Sequence, residues 1–190
     1  MGFLRFKAHK MKNEMNEVFD LLKASLFQEH KAELNEWQSV FNEMKAQSVA
    51  ALPGEWLKRN LPSAKSWLSF CSLQQGNWVR IMYVQDELLA LFEKNNIPSV
   101  IIKGAAAAMY YPIPSLRSMG DIDIIVKRED IDRTADILEN NGYKLTADKD
   151  YVDHHYNYSK GKTSIELHKR LGVIDEGDGE LLGLFEDRCT

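Results

Sequence analysis

The chain has 190 residues, 24 basic and 28 acidic for a net charge of −4, a size for one well-packed domain or two small ones and a balance that argues against a nucleic-acid partner. Its two cysteines, Cys71 and Cys189, fit no CxxC or Cys/His metal spacing, which argues against a disulfide scaffold or a zinc module and makes a reducing, cytoplasmic setting the expectation. The N-terminus MGFLRFKAHKMKNEM lacks the apolar core of a signal peptide, and Lys103 with Pro98, Pro112 and Pro114 breaks the apolar stretch Ile97 to Leu116 well short of the roughly 18 residues a membrane span needs.

From about Met11 to Asn95 the periodicity is helical. Val18, Leu21, Leu22 and Leu26, then Leu34, Trp37, Val40, Phe41 and Met44, recur at three- and four-residue intervals and predict two amphipathic helices. LPGEWLKRNLPS, with Pro53, Gly54 and Pro62, reads as a strong boundary, and Ser63 as a cap for the next helix. That helix carries Trp67, Leu68, Phe70 and Cys71, then Ile81, Val84, Leu88 and Phe92, with Gly76 as a place to kink or divide and Asn95-Asn96 as its stop. The four tryptophans, 37, 56, 67 and 78, read as core or helix-interface residues, and the Lys-rich N-terminus as a solvated helix face.

After Asn96 the pattern changes. Ser99 to Ile102 is a β-branched run that predicts a buried strand, Gly104 to Tyr111 a helix of small residues, and Asp121 to Lys127 a second strand. Glu129 to Asn141 predicts a helix stopped by Asn141-Gly142, and Tyr143 to Thr146 a short strand. Val152 to Ser159 and Thr163 to His168 predict a hairpin turning at Lys160-Gly161-Lys162. An acidic, glycine-rich stretch from Gly172 to Gly179 and a short helix from Glu180 to Phe185 end the chain.

Asp121 and Asp123, two apart on a strand, project from one face, and their mutual repulsion is relieved by a hard divalent cation such as Mg²⁺. The Lys103-Gly104 turn opens a helix, and the missing side chain of Gly104 lets a phosphate approach the main chain. Glu166, sharing a strand face with Ser164 and His168, is the candidate third carboxylate. Such an assembly is the layout for phosphoryl or nucleotidyl transfer, in which metal ions bridge phosphate oxygens. Lys103 either snorkels from the strand end or contacts phosphate, and Arg117 either pairs with surface acids or clamps a phosphate. His168 reads either as a residue that supports Glu166 from beside it or, the favoured reading, as a half-buried strand histidine, and His154 and His155, pointing to opposite sides of a strand, do not read as a two-His metal site.

The string KGAAAAMYYPIPSLRSMGDIDIIV, followed by NNGY and IELH, resembles the uncharacterised nucleotidyltransferase family of the DNA polymerase β-like superfamily over about Tyr83 to Leu171. The resemblance implies Asp121 and Asp123 as the metal pair, Glu166 as a third ligand that also accepts the proton of an attacking hydroxyl, and Gly104 under the nucleotide phosphates. Lys103, Ala105 and Arg117 join Gly104 in the implied nucleotide-binding set, with Ala105 standing where the superfamily usually has serine or glycine. The expected fold is α+β, a helical N-terminal half packed on a small mixed β-sheet of polymerase β-like type, divided as 1–95, 96–175 and a C-terminal short helix in 176–190. The expected activity is Mg²⁺- or Mn²⁺-dependent transfer of a nucleoside monophosphate from an NTP, ATP being the expected one. The acceptor is a hydroxyl on a small molecule, peptide or protein, with no membrane partner. The alternative is an inactive nucleotide-binding or protein-interaction module, suggested by Ala105 and the early end of the chain. A third possibility is a toxin–antitoxin or self-modifying role with a protein as acceptor.

Overall fold

The computed structural model describes residues 2–27, 31–146 and 155–169. Helices α1 (Gly2–Leu26), α2 (Trp37–Ala46), α3 (Gly54–Asn60) and α4 (Lys65–Lys94) come first. They are followed by β1 (Ser99–Ile102), α5 (Gly104–Ala108), β2 (Asp121–Val126), α6 (Ile131–Asn140), β3 (Lys144–Leu145), β4 (His155–Lys160) and β5 (Thr163–His168). The strands form one sheet in the order β1-β2-β5-β4-β3, in which β2 and β5 run parallel and the other pairs antiparallel. The architecture is the expected α+β arrangement of helices followed by a mixed sheet.

The chain forms two compact units, one of residues up to Trp78 with Ala108–Ser118, the other of Val79–Ala107 with the chain from Met119 on. The first is helical. Val18, Leu21, Val40, Met44, Leu57 and Trp67 share its core, where Phe41 stacks on Trp67 at 5.1 Å and the indole N–H of Trp67 donates to the Ala50 carbonyl at 2.6 Å. The boundary read in LPGEWLKRNLPS is corrected: α3 lies within it. Glu55 in its first turn and Lys58 and Arg59 in its last complement the helix dipole, and Leu57 is fully buried. Ser63 is not the cap of α4, because Leu68 N–H bonds the Ala64 carbonyl, and α4 continues through Gly76.

In the second unit, Ile81, Val84, Leu88 and Phe92 give the later part of α4 a buried stripe, and Arg80 donates to Thr163 at 2.8 Å. Asn96, with φ 52°, closes α4 as the Ile97 N–H reaches back to the Phe92 carbonyl at 2.9 Å. The buried strand expected at Ser99–Ile102 is instead half-exposed, since β1 is an edge strand. The helix expected to reach Tyr111 stops at Ala108, where the Tyr111 N–H closes a turn on the Ala108 carbonyl at 3.0 Å. Gly142 (φ 79°) gives the expected helix stop its left-handed backbone, and Gly161 (φ 60°) takes the same conformation in the expected hairpin turn. The Val152–His154 start of the expected strand, the acidic stretch from Gly172 and the C-terminal helix lie outside the described residues. No described helix is long and apolar enough to cross a membrane.

Candidate active site

The second unit's sheet separates two chemistries by the period-two alternation of its strands. On one face Ile122, Ile124 and Val126 of β2 join Ile165 and Leu167 of β5 and Tyr158 of β4, all buried, and the Tyr158 hydroxyl meets Glu139 of α6 at 3.3 Å. The other face is polar. Parallel pairing sets Asp121 opposite Ser164 and Asp123 opposite Glu166. Antiparallel pairing sets Asn157 opposite Glu166 and His155 opposite His168.

β1 brings the cation. Ile102 pairs with Asp123, and the next residue, Lys103, takes φ 51°, a left-handed conformation that costs a non-glycine residue about 1–2 kcal/mol. Its carbonyl then accepts the Ala107 N–H at 2.7 Å, starting α5. This reversal returns the Lys103 Nζ to Asp123 Oδ1 at 2.9 Å and to Glu166 Oε2 at 4.0 Å. Strain held at such a position marks a site where the surrounding structure fixes the geometry.

Asp123 is 4% exposed, and among the described residues Lys103 Nζ reaches it at 2.9 Å and His168 Nε2 at 3.1 Å. The same His168 nitrogen lies 3.3 Å from Glu166 Oε2. Burial pushes the Glu166 carboxyl above the usual range, the charge of Asp123 and a hydrogen bond with it push further, Asp121 adds to this, and Lys103 opposes it. The Lys103 ammonium is held above its ordinary value by the hydrogen bond to Asp123, against a small burial effect, with the charges of Asp123, Glu166 and Asp121 adding to the rise. The negative charge of Asp121, Asp123 and Glu166 on this face is only partly offset by Lys103.

Asp121, Asp123, Glu166 and Lys103 are therefore brought together. Gly104 and the buried Ala105 follow at the start of α5, and a Cβ built on Gly104 would lie 3.6 Å from the Asp121 carbonyl oxygen. Arg117 belongs to the helical unit, where its guanidinium donates to the Ser118 carbonyl at 3.4 Å. Two histidines complete the polar face. His168 is buried rather than half-buried and sits between two carboxylates, and His155 stands directly across from it with ring centroids 5.1 Å apart. The IELH string hinted at His168, but no local signal places His155, since only the β4–β5 register brings it there.

The model of a family described as "Uncharacterised nucleotidyltransferase" matches residues 33–189. Among solved structures, the one titled "Crystal Structure of ANT(2")-Ia in complex with adenylyl-2"-tobramycin" is similar at 19% identity and a TM-score of 0.40, over 52% of this chain and 53% of that one. The chain thus spans about half the length of the solved chain it matches. No curated protein matches the sequence.

Proposed function

Because this chain belongs to the uncharacterised nucleotidyltransferase family, we propose that the polar face of its sheet transfers a nucleoside monophosphate from an NTP, with ATP the first candidate, to a hydroxyl-bearing acceptor. The observation that carries this reading is the pairing of Asp123 with Glu166 on adjacent parallel strands, with Asp121 on the same face and Lys103 bonded to Asp123.

Asp121, Asp123 and Glu166 would hold Mg²⁺ or Mn²⁺, and such an ion would supply positive charge against the negative charge that develops on the phosphates in transfer. The acceptor hydroxyl oxygen forms a bond to the α-phosphorus, the bond from that phosphorus to the bridging oxygen breaks, and pyrophosphate leaves. Glu166 takes the hydroxyl proton. Lys103, whose side chain is 62% exposed, reaches from the pair toward solvent and offers its ammonium to phosphate. Gly104 and Ala105 present main chain with little side chain to obstruct a phosphate. The cytoplasm is the proposed compartment. Its reducing setting suits Cys71, whose thiol burial pushes up to about 11 and so keeps unreactive.

The test incubates the full chain with labelled NTPs, Mg²⁺ and a panel of small-molecule, peptide and protein acceptors, and measures intact mass for modification of the chain itself. Transfer should appear and should vanish when Asp121→Asn and Asp123→Asn are combined. Transfer that persists in the double variant rejects the assignment. Calorimetric ATP binding without transfer to any acceptor supports the alternative of a nucleotide-binding module.

A further inference from the structure

On the polar face, a second set of donors lies beside the carboxylate pair. Because β4 and β5 pair His155 with His168, and because Glu166 shares the β5 face of His168, two imidazoles and one carboxylate converge. One ligand atom from each lies within 4.8 Å of the other two. His155 Nε2 is 3.9 Å from Glu166 Oε1, and His168 Nε2 is 3.3 Å from Glu166 Oε2. A tetrahedral ion with ligands about 2.0–2.1 Å away sets its donors roughly 3.4 Å apart, so small side-chain rotations bring all three to coordinating distance. The strands that carry them are hydrogen-bonded neighbours, which fixes the donors before any ion arrives. His155 keeps 15% of its side chain exposed, giving an ion a way in.

His168 Nε2 also lies 3.1 Å from Asp123 Oδ1, so the group borders the carboxylate pair, and its imidazoles are what set it apart in donor chemistry. All-oxygen sites favour Mg²⁺ and Mn²⁺, whereas imidazole nitrogens favour Zn²⁺, Co²⁺ and Ni²⁺. We propose that His155, Glu166 and His168 form a second cation site, selective for a borderline divalent ion of the Zn²⁺ class, which shares Glu166 with the carboxylate pair. An ion there engages Glu166 on the histidine side and competes with Lys103, which stands 4.0 Å from the same carboxylate. The pair then loses its third oxygen donor, so Zn²⁺ antagonises Mg²⁺-supported transfer. That consequence rests on the proposed function; the binding of Zn²⁺ does not.

The experiment is a calorimetric titration of Zn²⁺ into the metal-free full chain, without Mg²⁺ or nucleotide, so a chain that transfers nothing still reports. One tight equivalent is expected, and Co²⁺ in its place should give visible absorption bands of nitrogen and oxygen ligation. His155→Gln and His155→Asn, checked for folding by circular dichroism, should each weaken Zn²⁺ binding by about tenfold or more. Asp121→Asn should keep the affinity within about twofold, because Asp121 is outside the donor group. Absence of tight Zn²⁺ binding to the wild-type chain, unchanged affinity in both His155 variants, or a loss in Asp121→Asn equal to theirs overturns the proposal.

Discussion

Gly104→Ala separates packing from ligand approach at the start of α5. Gly104 is not among the glycines with positive φ, and an added Cβ would meet the Asp121 carbonyl oxygen at 3.6 Å and Met119 Sδ at 3.8 Å, both ordinary contacts. The chain's own packing thus does not require glycine. Alanine is the better helix former and restricts the unfolded chain, so the substitution should stabilise the fold by about 0.4–1 kcal/mol. A phosphate seated against the main chain would meet the new methyl group. An overpacked contact costs about 1–3 kcal/mol, which weakens nucleotide binding by roughly 5- to 160-fold. Calorimetry with ATP and Mg²⁺ gives the affinity, and urea unfolding gives the stability, so the two effects are read with opposite signs in one variant. An ATP affinity equal to wild type in a folded Gly104→Ala chain refutes the phosphate placement. A stability loss above about 1 kcal/mol refutes the packing argument instead.

Lys103→Gly and Lys103→Ala both remove the ion pair with Asp123, but only alanine retains the side-chain penalty of φ 51°. The glycine variant should therefore be the more stable by about 1 kcal/mol in urea unfolding, and equal stabilities would reject strain at this turn. The raised pKa of Glu166 makes the metal-free fold pH-sensitive. The folded chain holds that proton more tightly than the unfolded chain, so the group's stabilisation is full below its ordinary value of 4.5 and is lost as pH rises through the raised one. Thermal melts from pH 4.5 upward should show wild type losing stability relative to Glu166→Gln, and saturating Mg²⁺ should remove the difference. Parallel metal-free profiles would contradict the crowding of carboxylates at this site.

What could be read from sequence was local, and what could not was register. Asp121 and Asp123 share a face because a strand alternates, and the Asn141-Gly142 stop needs only a residue that tolerates positive φ; both readings require a few consecutive residues. α3 was hidden because Pro53 and Gly54 are turn residues by composition, while the full burial of Leu57, a tertiary effect, helps hold the turn in a helix. His155 was read from its neighbour His154, which led away from a metal site. Its actual companion is His168, and nothing within β4 announces that pairing. Lys103 was legible as a residue at a turn, but its return to Asp123 depends on the left-handed backbone at its own position.

The same register explains how the fold tolerates so much charge on one sheet. Two unit charges about 4 Å apart at a protein surface interact by about 4 kcal/mol, which would threaten a marginal domain if the polar face also held the sheet together. It does not have to. Ile122, Ile124, Val126, Ile165, Leu167 and Tyr158 lie buried on the opposite face, and a fully buried aliphatic side chain contributes about 1.5–3 kcal/mol, so a few of them outweigh the repulsion. Lys103 and His168 reduce it further. The two faces therefore divide the work: truncating Ile124 or Leu167 to alanine should cost about 2–5 kcal/mol of stability and lose transfer only as the sheet unfolds, whereas Asp121→Asn relieves repulsion and should leave a folded chain that no longer transfers.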